Sequence, residues 1–148
     1  MFNSILVAVD PSEAAQEALD LACRLAQEDH AKVVLVNVVD VSKLVVAAGY
    51  EAPYPVDAIE MMRDEGRQLL DEAKQRCQKQ GLDVTLLSAE GEASERILQV
   101  ADEQHAGLIC MGTHGRKGFS HLFVGSVAES VLRGAKVPVL VIRPTKHA

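Results

Sequence analysis

Residues 108–129 read LICMGTHGRKGFSHLFVGSVAE, a stretch that joins an apolar run to spaced glycines and then to a segment with helical spacing. The apolar run, Leu108–Met111, has the pattern of a strand that is buried on both faces of a parallel sheet. From Ser126 onward, apolar residues return every three or four positions, which is typical of an amphipathic helix. The stretch therefore predicts a strand, a glycine-containing loop and a helix, in that order.

The same alternation of apolar runs and helical segments extends over the rest of the chain. Apolar spacing predicts a helix from about Asp57 to Gln80, with two shorter helices elsewhere. Alternating strands and helices predict a parallel sheet with helices on both faces and right-handed crossovers. We therefore expect one α/β domain over residues 1–148, with five strands and four helices. The four further predicted strands are Ser4–Val9, Val33–Val39, Val84–Leu87 and Val137–Ile142.

Composition limits the classes of partner that this chain can have. With 148 residues, 48% of them hydrophobic, it can bury an ordinary core. A net charge of −6 argues against general nucleic-acid binding, which needs a basic surface. The N-terminus lacks a basic region, and no apolar stretch reaches the roughly 18 residues of a membrane helix. We expect a cytoplasmic protein without membrane insertion.

Three cysteines, Cys23, Cys77 and Cys110, give an odd count without a CxxC motif or a histidine at metal-ligand spacing. This pattern fits a reducing compartment better than a disulfide framework or a zinc site. We expect buried free thiols. Cys110 lies within a predicted buried strand, where a core thiol is the expected role rather than a nucleophile.

The segment from Val41 to Val56 is the one irregular stretch of unusual length. Pro53 and Pro55 prevent a regular helix immediately before Asp57, while Tyr50 supplies apolar surface that could be buried. A flap near a ligand, a dimer contact and a plain surface loop all remain open for this segment.

The glycines after the fourth predicted strand have the spacing of a phosphate-binding loop. Gly112, Gly115, Gly125 and Ser126 follow the spacing Gly-x2-Gly-x9-Gly-Ser between a buried strand and a helix. Glycines at a strand exit let backbone amides approach a phosphate, and the positive end of a helix favours anions. Ser126 with Glu129 has the pattern of a capping box, which predicts that Ser126 caps the helix. Simple turn glycines and a simple cap are the alternative.

Two better-known phosphate motifs are absent from the sequence. There is no GxxxxGK[ST] sequence, so the chain is not a P-loop nucleotide hydrolase. The first predicted strand runs into Val9-Asp10-Pro11-Ser12 without a glycine, so the dinucleotide-binding fingerprint is missing as well.

At this point the sequence resembles the universal stress protein family over nearly its whole length. The resemblance is carried by ILVAVD at residues 5–10, VNVVD at residues 36–40 and MGTHGRKGFSHLFVGSVAESVLRGAKVPVLVIR at residues 111–143. The glycine spacing is similar to that of the ATP-binding branch of the family. The resemblance implies a three-layer Rossmann-like fold with sheet order 3-2-1-4-5 and a nucleotide across the ends of the first and fourth strands.

The resemblance also implies roles for residues at both of those strand ends. Asp10 would bind the ribose or help to hold a divalent ion, Mg²⁺ or Mn²⁺, that accompanies ATP. A turn role beside Pro11 and Ser12 is the alternative for Asp10. Val38 would present its backbone to the adenine edge. The other implied nucleotide contacts are Ala8, Val9, Met111, Gly112, Gly115, Gly125, Ser126 and Val127.

Three residues of the loop have weaker assignments. His114, Arg116 and Lys117 could contact phosphate, but they could equally be exposed loop side chains. The resemblance further implies a homodimer through the last strand, Val137–Ile142, which would be an apolar edge of the sheet.

The sequence leaves several functions open. A receiver domain is disfavoured because Asp10 has no acidic neighbour, and a flavodoxin because there is no tryptophan and no Thr/Ser-rich loop after the first strand. Our main hypothesis is a stress-response module whose ATP occupancy alters its shape or partners. A ligand-independent dimeric scaffold and a slow ATPase or autophosphorylating switch are the alternatives, since Asp10 is the single strong acid that the motif provides.

Overall fold

Five parallel strands alternate with helices along the chain. The computed structural model describes residues 1–42, 56–113 and 124–145. The strands are β1 (Ser4–Ala8), β2 (Lys32–Val39), β3 (Val84–Glu90), β4 (Leu108–Gly112) and β5 (Val139–Ile142). The helices are α1 (Glu13–Asp29), α2 (Val56–Lys79), α3 (Ala93–Glu103) and α4 (Ser126–Gly134).

The strand order is β3-β2-β1-β4-β5, and each neighbouring pair is parallel, as predicted. Strand β1 is central, with Ile5 opposite Val33 of β2 on one side and opposite Leu108 of β4 on the other. The chain therefore moves to one side of β1 for β2 and β3, and to the other side for β4 and β5. Such a reversal creates a crevice at the carboxyl ends of the strands, where ligands bind in open α/β sheets.

Two apolar clusters, one on each face of the sheet, form the core. Ile5, Val7 and Leu35 pack with α1 and α2, whereas Leu6 and Ile109 pack with α3 and α4. All five of these side chains are fully buried. Burial of each of these side chains contributes about 1.5–3 kcal/mol to stability. Because neighbouring residues of a strand point to opposite faces, this burial holds helices on both faces of the sheet.

The two edge strands differ most from the sequence prediction. Strand β3 extends to Glu90 rather than Leu87, and β5 begins at Val139 rather than Val137. The shorter β5 follows from Pro138, which has no N–H for the ladder although its carbonyl accepts from the Ile109 amide at 3.1 Å. Most residues of β3 and all of β5 are only half-buried, because each has a strand on one side only.

The remaining expectations about helices and thiols can be compared directly. Helix α2 begins and ends one residue earlier than predicted, and Cys23, Cys77 and Cys110 are buried free thiols. The predicted irregular segment Val41–Val56 falls mainly on residues 43–55, which lie outside the described residues. Within the described ranges, no helix combines the length and apolar character of a membrane span.

Candidate functional site

The exits of β1, β2 and β4 bring several predicted site residues to one edge of the sheet. Val7 lies opposite Cys110, so the residues that follow on β1 and β4 leave the sheet side by side. The Val9 amide donates to the Val36 carbonyl at 2.8 Å, which extends the pairing of β1 with β2. Ala8, Val9, Asp10 and Val38 are half-buried here, whereas Met111 and Gly112 are buried.

Asp10 shapes the turn that leads from β1 into α1. Its Oδ1 accepts from the Ser12 amide at 2.7 Å, and the Ser12 hydroxyl in turn accepts from the Ala15 amide at 3.1 Å as the cap of α1. The turn role that the sequence left open is therefore present. A carboxylate can accept several hydrogen bonds, so a ligand role is compatible with this turn and stays a prediction.

Gly112 is a glycine because helix α1 packs against it. A Cβ atom at this position would lie 2.7 Å from the Ala14 Cβ and 2.8 Å from the Ala15 amide nitrogen. Real Cβ atoms do not approach backbone atoms so closely, and the residue belongs to β4 rather than to a turn. The first glycine of the motif thus has a packing role that neither sequence interpretation foresaw.

Gly125 caps helix α4, and the predicted capping box is wrong. The Gly125 carbonyl accepts from the Glu129 amide at 3.0 Å, which makes Gly125 the cap and Ser126 the first helical residue. Glu129 is therefore one position too far along for a capping box, and its carboxylate pairs with Arg133 at 2.5 Å instead. The predicted helix start at Ser126 is confirmed, but the cap residue has no side chain to accept from the first-turn amides.

The two ends of the predicted phosphate loop meet at the exit of β4. The Gly125 amide donates to the Thr113 carbonyl at 2.7 Å, so the chain leaves β4 and returns to the same point. Four predicted contacts in the segment between them, His114, Gly115, Arg116 and Lys117, lie outside the described residues. Ser126 and Val127 follow at the start of α4, exposed and half-buried respectively.

Thr113 was not singled out from the sequence, although it anchors this junction. Thr113 is 2% exposed, and its amide donates to the Ile142 carbonyl of β5 at 2.8 Å. Because Thr113 also accepts from Gly125, it connects β5 to the start of α4. A threonine directly after a buried apolar run was the available signal.

Asn37 is a second residue that the sequence analysis missed. Its side-chain amide nitrogen donates to the Val9 carbonyl at 2.9 Å, fixing the backbone at the exit of β1. Helix α2 lies against the same side chain, since a Cβ atom on Gly66 would be 2.2 Å from Asn37 Oδ1. A lone polar residue inside the otherwise apolar run VVLVNVV at residues 33–39 was the signal for this role.

At the same edge of the sheet, carboxylates lie at the exits of β2 and β3. Asp40 Oδ2 accepts from the Ala93 amide at 3.3 Å, and Glu92 accepts from the amides of Ser94 and Glu95 at 3.2 and 2.9 Å. Burial raises the pKa of Glu92, but these hydrogen bonds and that of the Ser94 hydroxyl outweigh it and leave the pKa below its ordinary value. The first turn of α3 is thus satisfied by the chain's own acids.

Comparisons with known proteins were made for the whole chain. The sequence profile of the universal stress protein family matches residues 1–143. A universal stress protein of Methanocaldococcus jannaschii is 33% identical over 99% of this chain and 85% of its own length. These matches cover every strand and helix described above.

Solved structures agree with the sequence matches. A member of the universal stress protein family from Burkholderia pseudomallei superimposes with a TM-score of 0.78 and 37% identity, over 97% of this chain and 96% of that one. The universal stress protein of Archaeoglobus fulgidus in complex with dAMP has a TM-score of 0.67 and 25% identity, over 94% of this chain and 96% of that one. On the family profile and on relatives of this identity and coverage, the chain belongs to the universal stress protein family.

Proposed function

We propose that this protein binds ATP at the edge formed by the exits of β1 and β4 and the start of α4. The observation that carries the proposal is the junction at Gly125, a cap without a side chain whose amide is held against the Thr113 carbonyl at 2.7 Å. This hydrogen bond places the positive end of α4 at the exit of β4, the strand that pairs with β1. Helix ends of this kind stabilise bound phosphate groups.

The proposed contacts divide into those for the nucleoside and those for the phosphates. Ala8, Val9 and the Val38 backbone would flank the adenine, with Asp10 at the ribose. The sugar and first phosphate would lie against Met111 and Gly112. The remaining phosphate contacts would be Gly115, Gly125, Ser126 and Val127, with His114, Arg116 and Lys117 as further candidates.

A relative supports the choice of an adenine nucleotide. The universal stress protein of Archaeoglobus fulgidus was solved in complex with dAMP and shares 25% identity with this chain. The Gly-x2-Gly-x9-Gly-Ser spacing of this chain extends the proposal from a monophosphate to ATP, because the amides of Ser126 and Val127 would be donors beyond the first phosphate.

A divalent cation fits the proposal only as a companion of the nucleotide. Among residues 1–42, 56–113 and 124–145, no group of three or more His, Cys, Asp or Glu side chains is arranged to hold a metal. The Asp10 carboxylate and the Ser126 hydroxyl are oxygen donors of the type that Mg²⁺ and Mn²⁺ prefer, and such ions usually complete their shell with phosphates and water. Asp10 would hold the ion, which would neutralise charge on the phosphates.

We infer that binding serves regulation rather than rapid catalysis. Fast phosphoryl transfer requires a positioned base and metal ligands, whereas the motif contributes Asp10 alone. Nucleotide occupancy would instead alter the surface that the protein offers to a cytoplasmic partner. Slow hydrolysis or autophosphorylation would be compatible with the same geometry.

A homodimer through β5 is a separate part of the proposal. This strand ends the sheet, and its four apolar residues, Val139–Ile142, are each only half-buried. Pairing with a second copy would cover that edge. Light scattering at micromolar concentration should give the mass of two chains, and the mass of one chain would contradict this part alone.

Calorimetric titration of nucleotide-free protein with ATP and Mg²⁺ tests the binding proposal. We expect saturable binding at one site per chain, lost in a Gly125→Val, Ser126→Val double variant whose melting temperature stays close to that of the native protein. Repeating the titration with EDTA measures the contribution of the metal. No binding by the native chain would overturn the proposal.

A further inference from the structure

Two of the three cysteines touch each other in the core, although they are 54 residues apart in the sequence. The Sγ atoms of Cys23 in α1 and Cys77 in α2 are 3.1 Å apart. Both side chains are buried, with at most 1% of either residue exposed. Two thiols in such contact are one short movement from a covalent bond, since an S–S bond is about 2.05 Å long.

The thiol pair lies in the middle of a line of contacts between the two helices. On one side, Arg76 pairs with Asp20, and on the other, the Gln27 side-chain amide donates to the Gln80 carbonyl at 3.1 Å. These contacts fix α1 and α2 in register. A bond between the sulfurs would therefore join helices that already hold the required alignment.

The two thiols differ in chemistry, which suits them to unequal roles. The hydrogen bond between the two sulfurs lowers the pKa of Cys23, with a smaller contribution from the charge of Arg76, and it outweighs burial and the charge of Asp20, which raise that pKa. The same hydrogen bond and burial raise the pKa of Cys77. Cys23 is thus the better attacking thiolate, and Cys77 is positioned to resolve the product.

A cleft at the amino ends of the strands lies near the pair. It has a volume of about 490 Å³, and Ala26 and Gln80 are among its lining residues. Ala26 follows Cys23 by three positions, about one turn of α1, and Gln80 follows Cys77 by three positions, directly after the end of α2. A small oxidant in this cleft needs to cross one turn of side chains to reach the sulfurs.

We propose that Cys23 and Cys77 form a redox-sensitive modification site that a hydroperoxide converts into an intramolecular disulfide between α1 and α2. The Cys23 thiolate attacks one peroxide oxygen, which gives a sulfenic acid and releases water or an alcohol. The Cys77 sulfur then attacks the oxidised sulfur and expels water. Overall the two thiols lose two electrons and two protons, and the O–O bond is reduced. A dithiol reductant reverses the change.

Closing this bond constrains the unfolded chain across a long loop. We expect the oxidised protein to melt roughly 5 °C or more above the reduced protein, since a disulfide across a loop of this size is strongly stabilising. Nothing in this expectation depends on ATP binding, so failure of one proposal leaves the other intact.

The test treats the reduced, folded full-length chain with excess hydrogen peroxide, removes the peroxide, and then alkylates the remaining thiols in denaturant, where buried thiols become accessible. We expect alkylation to fall from three labels to one, with an intact mass lower by two hydrogen atoms before labelling. Peptide mapping without reductant should recover a Cys23–Cys77 link. Dithiothreitol should restore three labels.

Single variants provide the controls. Cys110 is also buried, and desolvation raises its pKa to about 12, so Cys110→Ala should still form the link. Cys23→Ala and Cys77→Ala should not form it. The proposal is overturned if the native chain keeps three labels, if Cys110 accounts for the loss, or if the linked product joins two chains.

Discussion

Two helices begin at the same edge of the sheet, and their first turns are built in opposite ways. At α3, the amides of Ala93, Ser94 and Glu95 donate to the carboxylates of Asp40 and Glu92. At α4, the cap is Gly125, which has no side chain. The two helices differ in sequence length by only two residues, yet one positive end carries its own anions.

The difference indicates how charge is distributed over the edge. Anions are stabilised at a helix N-terminus, and α3 satisfies this preference with permanent side-chain carboxylates. An incoming phosphate would meet repulsion there. Helix α4 lies at the β4 exit beside β1, where the strand order reverses, and its cap contributes no competing charge. The comparison favours α4 over α3 as the position of the nucleotide phosphates.

A carboxylate at the cap of α4 would make its first turn like that of α3, and this change should have the largest effect on ATP affinity. In Gly125→Asp, the new side chain can cap the first turn and would repel a phosphate. The native backbone at this position, φ −62° and ψ 160°, accommodates aspartate without strain. We expect ATP affinity to fall at least about 100-fold, which is about 2.7 kcal/mol, measured by calorimetry.

A matched variant separates charge from size at the same position. Gly125→Ala adds a Cβ atom without a carboxylate and should cost less than about tenfold in affinity. Equal losses in the two variants would mean that bulk, not charge, matters at this cap.

A second change tests whether the first motif glycine, Gly112, is structural. Gly112→Ala places a Cβ atom 2.7 Å from the Ala14 Cβ, so we expect a loss of about 1–3 kcal/mol in the free energy of unfolding by urea denaturation. Gly107→Ala is the control, because its Cβ would meet its nearest neighbour at an ordinary 3.6 Å. If both variants were equally stable, the packing explanation for Gly112 would fail.

The smallest expected effect is that of removing the carboxylate cap of α3. Glu92→Gln should lower stability by roughly 0.5–1 kcal/mol at neutral pH, because a neutral amide caps less well than a carboxylate. The folded-state pKa of Glu92 lies below its ordinary value of 4.5. Its stabilisation is therefore complete above the unfolded pKa and is lost as the pH falls through the folded pKa.

Thermal melts of the native and Glu92→Gln proteins between pH 7 and pH 3 would show this trend. The difference between the two proteins should shrink on acidification, while ATP affinity at neutral pH stays within about twofold, because α3 lies away from the proposed site. A difference that grew at low pH would contradict the assignment of Glu92 as a carboxylate cap.

The layers and the strand order could be predicted from the sequence, but the exact bounds of the strands could not. Runs such as Leu108–Met111 are long and apolar enough to identify buried strands, and the family resemblance implied their order. Pro138 shortened β5 because it lacks an N–H, an effect that an apolar pattern does not report.

At the candidate site, too, part of the structure could be predicted from the sequence and part could not. The motif brought attention to Gly112 and Gly125, yet the contact of Gly112 with α1 depends on tertiary packing that no local spacing reveals. The capping box failed because Gly125, not Ser126, supplies the first helical carbonyl. Asn37 and the Cys23–Cys77 contact join residues far apart in sequence, so only the fold brings them together.

The most direct test of the account is an amide NMR titration of the ¹⁵N-labelled protein with ATP and Mg²⁺. It compares the two helix ends within one sample. We expect the amide signals of Ser126, Val127 and Ala128 to shift in a saturable manner, while those of Ser94 and Glu95 stay in place. Shifts confined to the first turn of α3, or no shifts at either helix, would contradict the assignment of the nucleotide phosphates to α4.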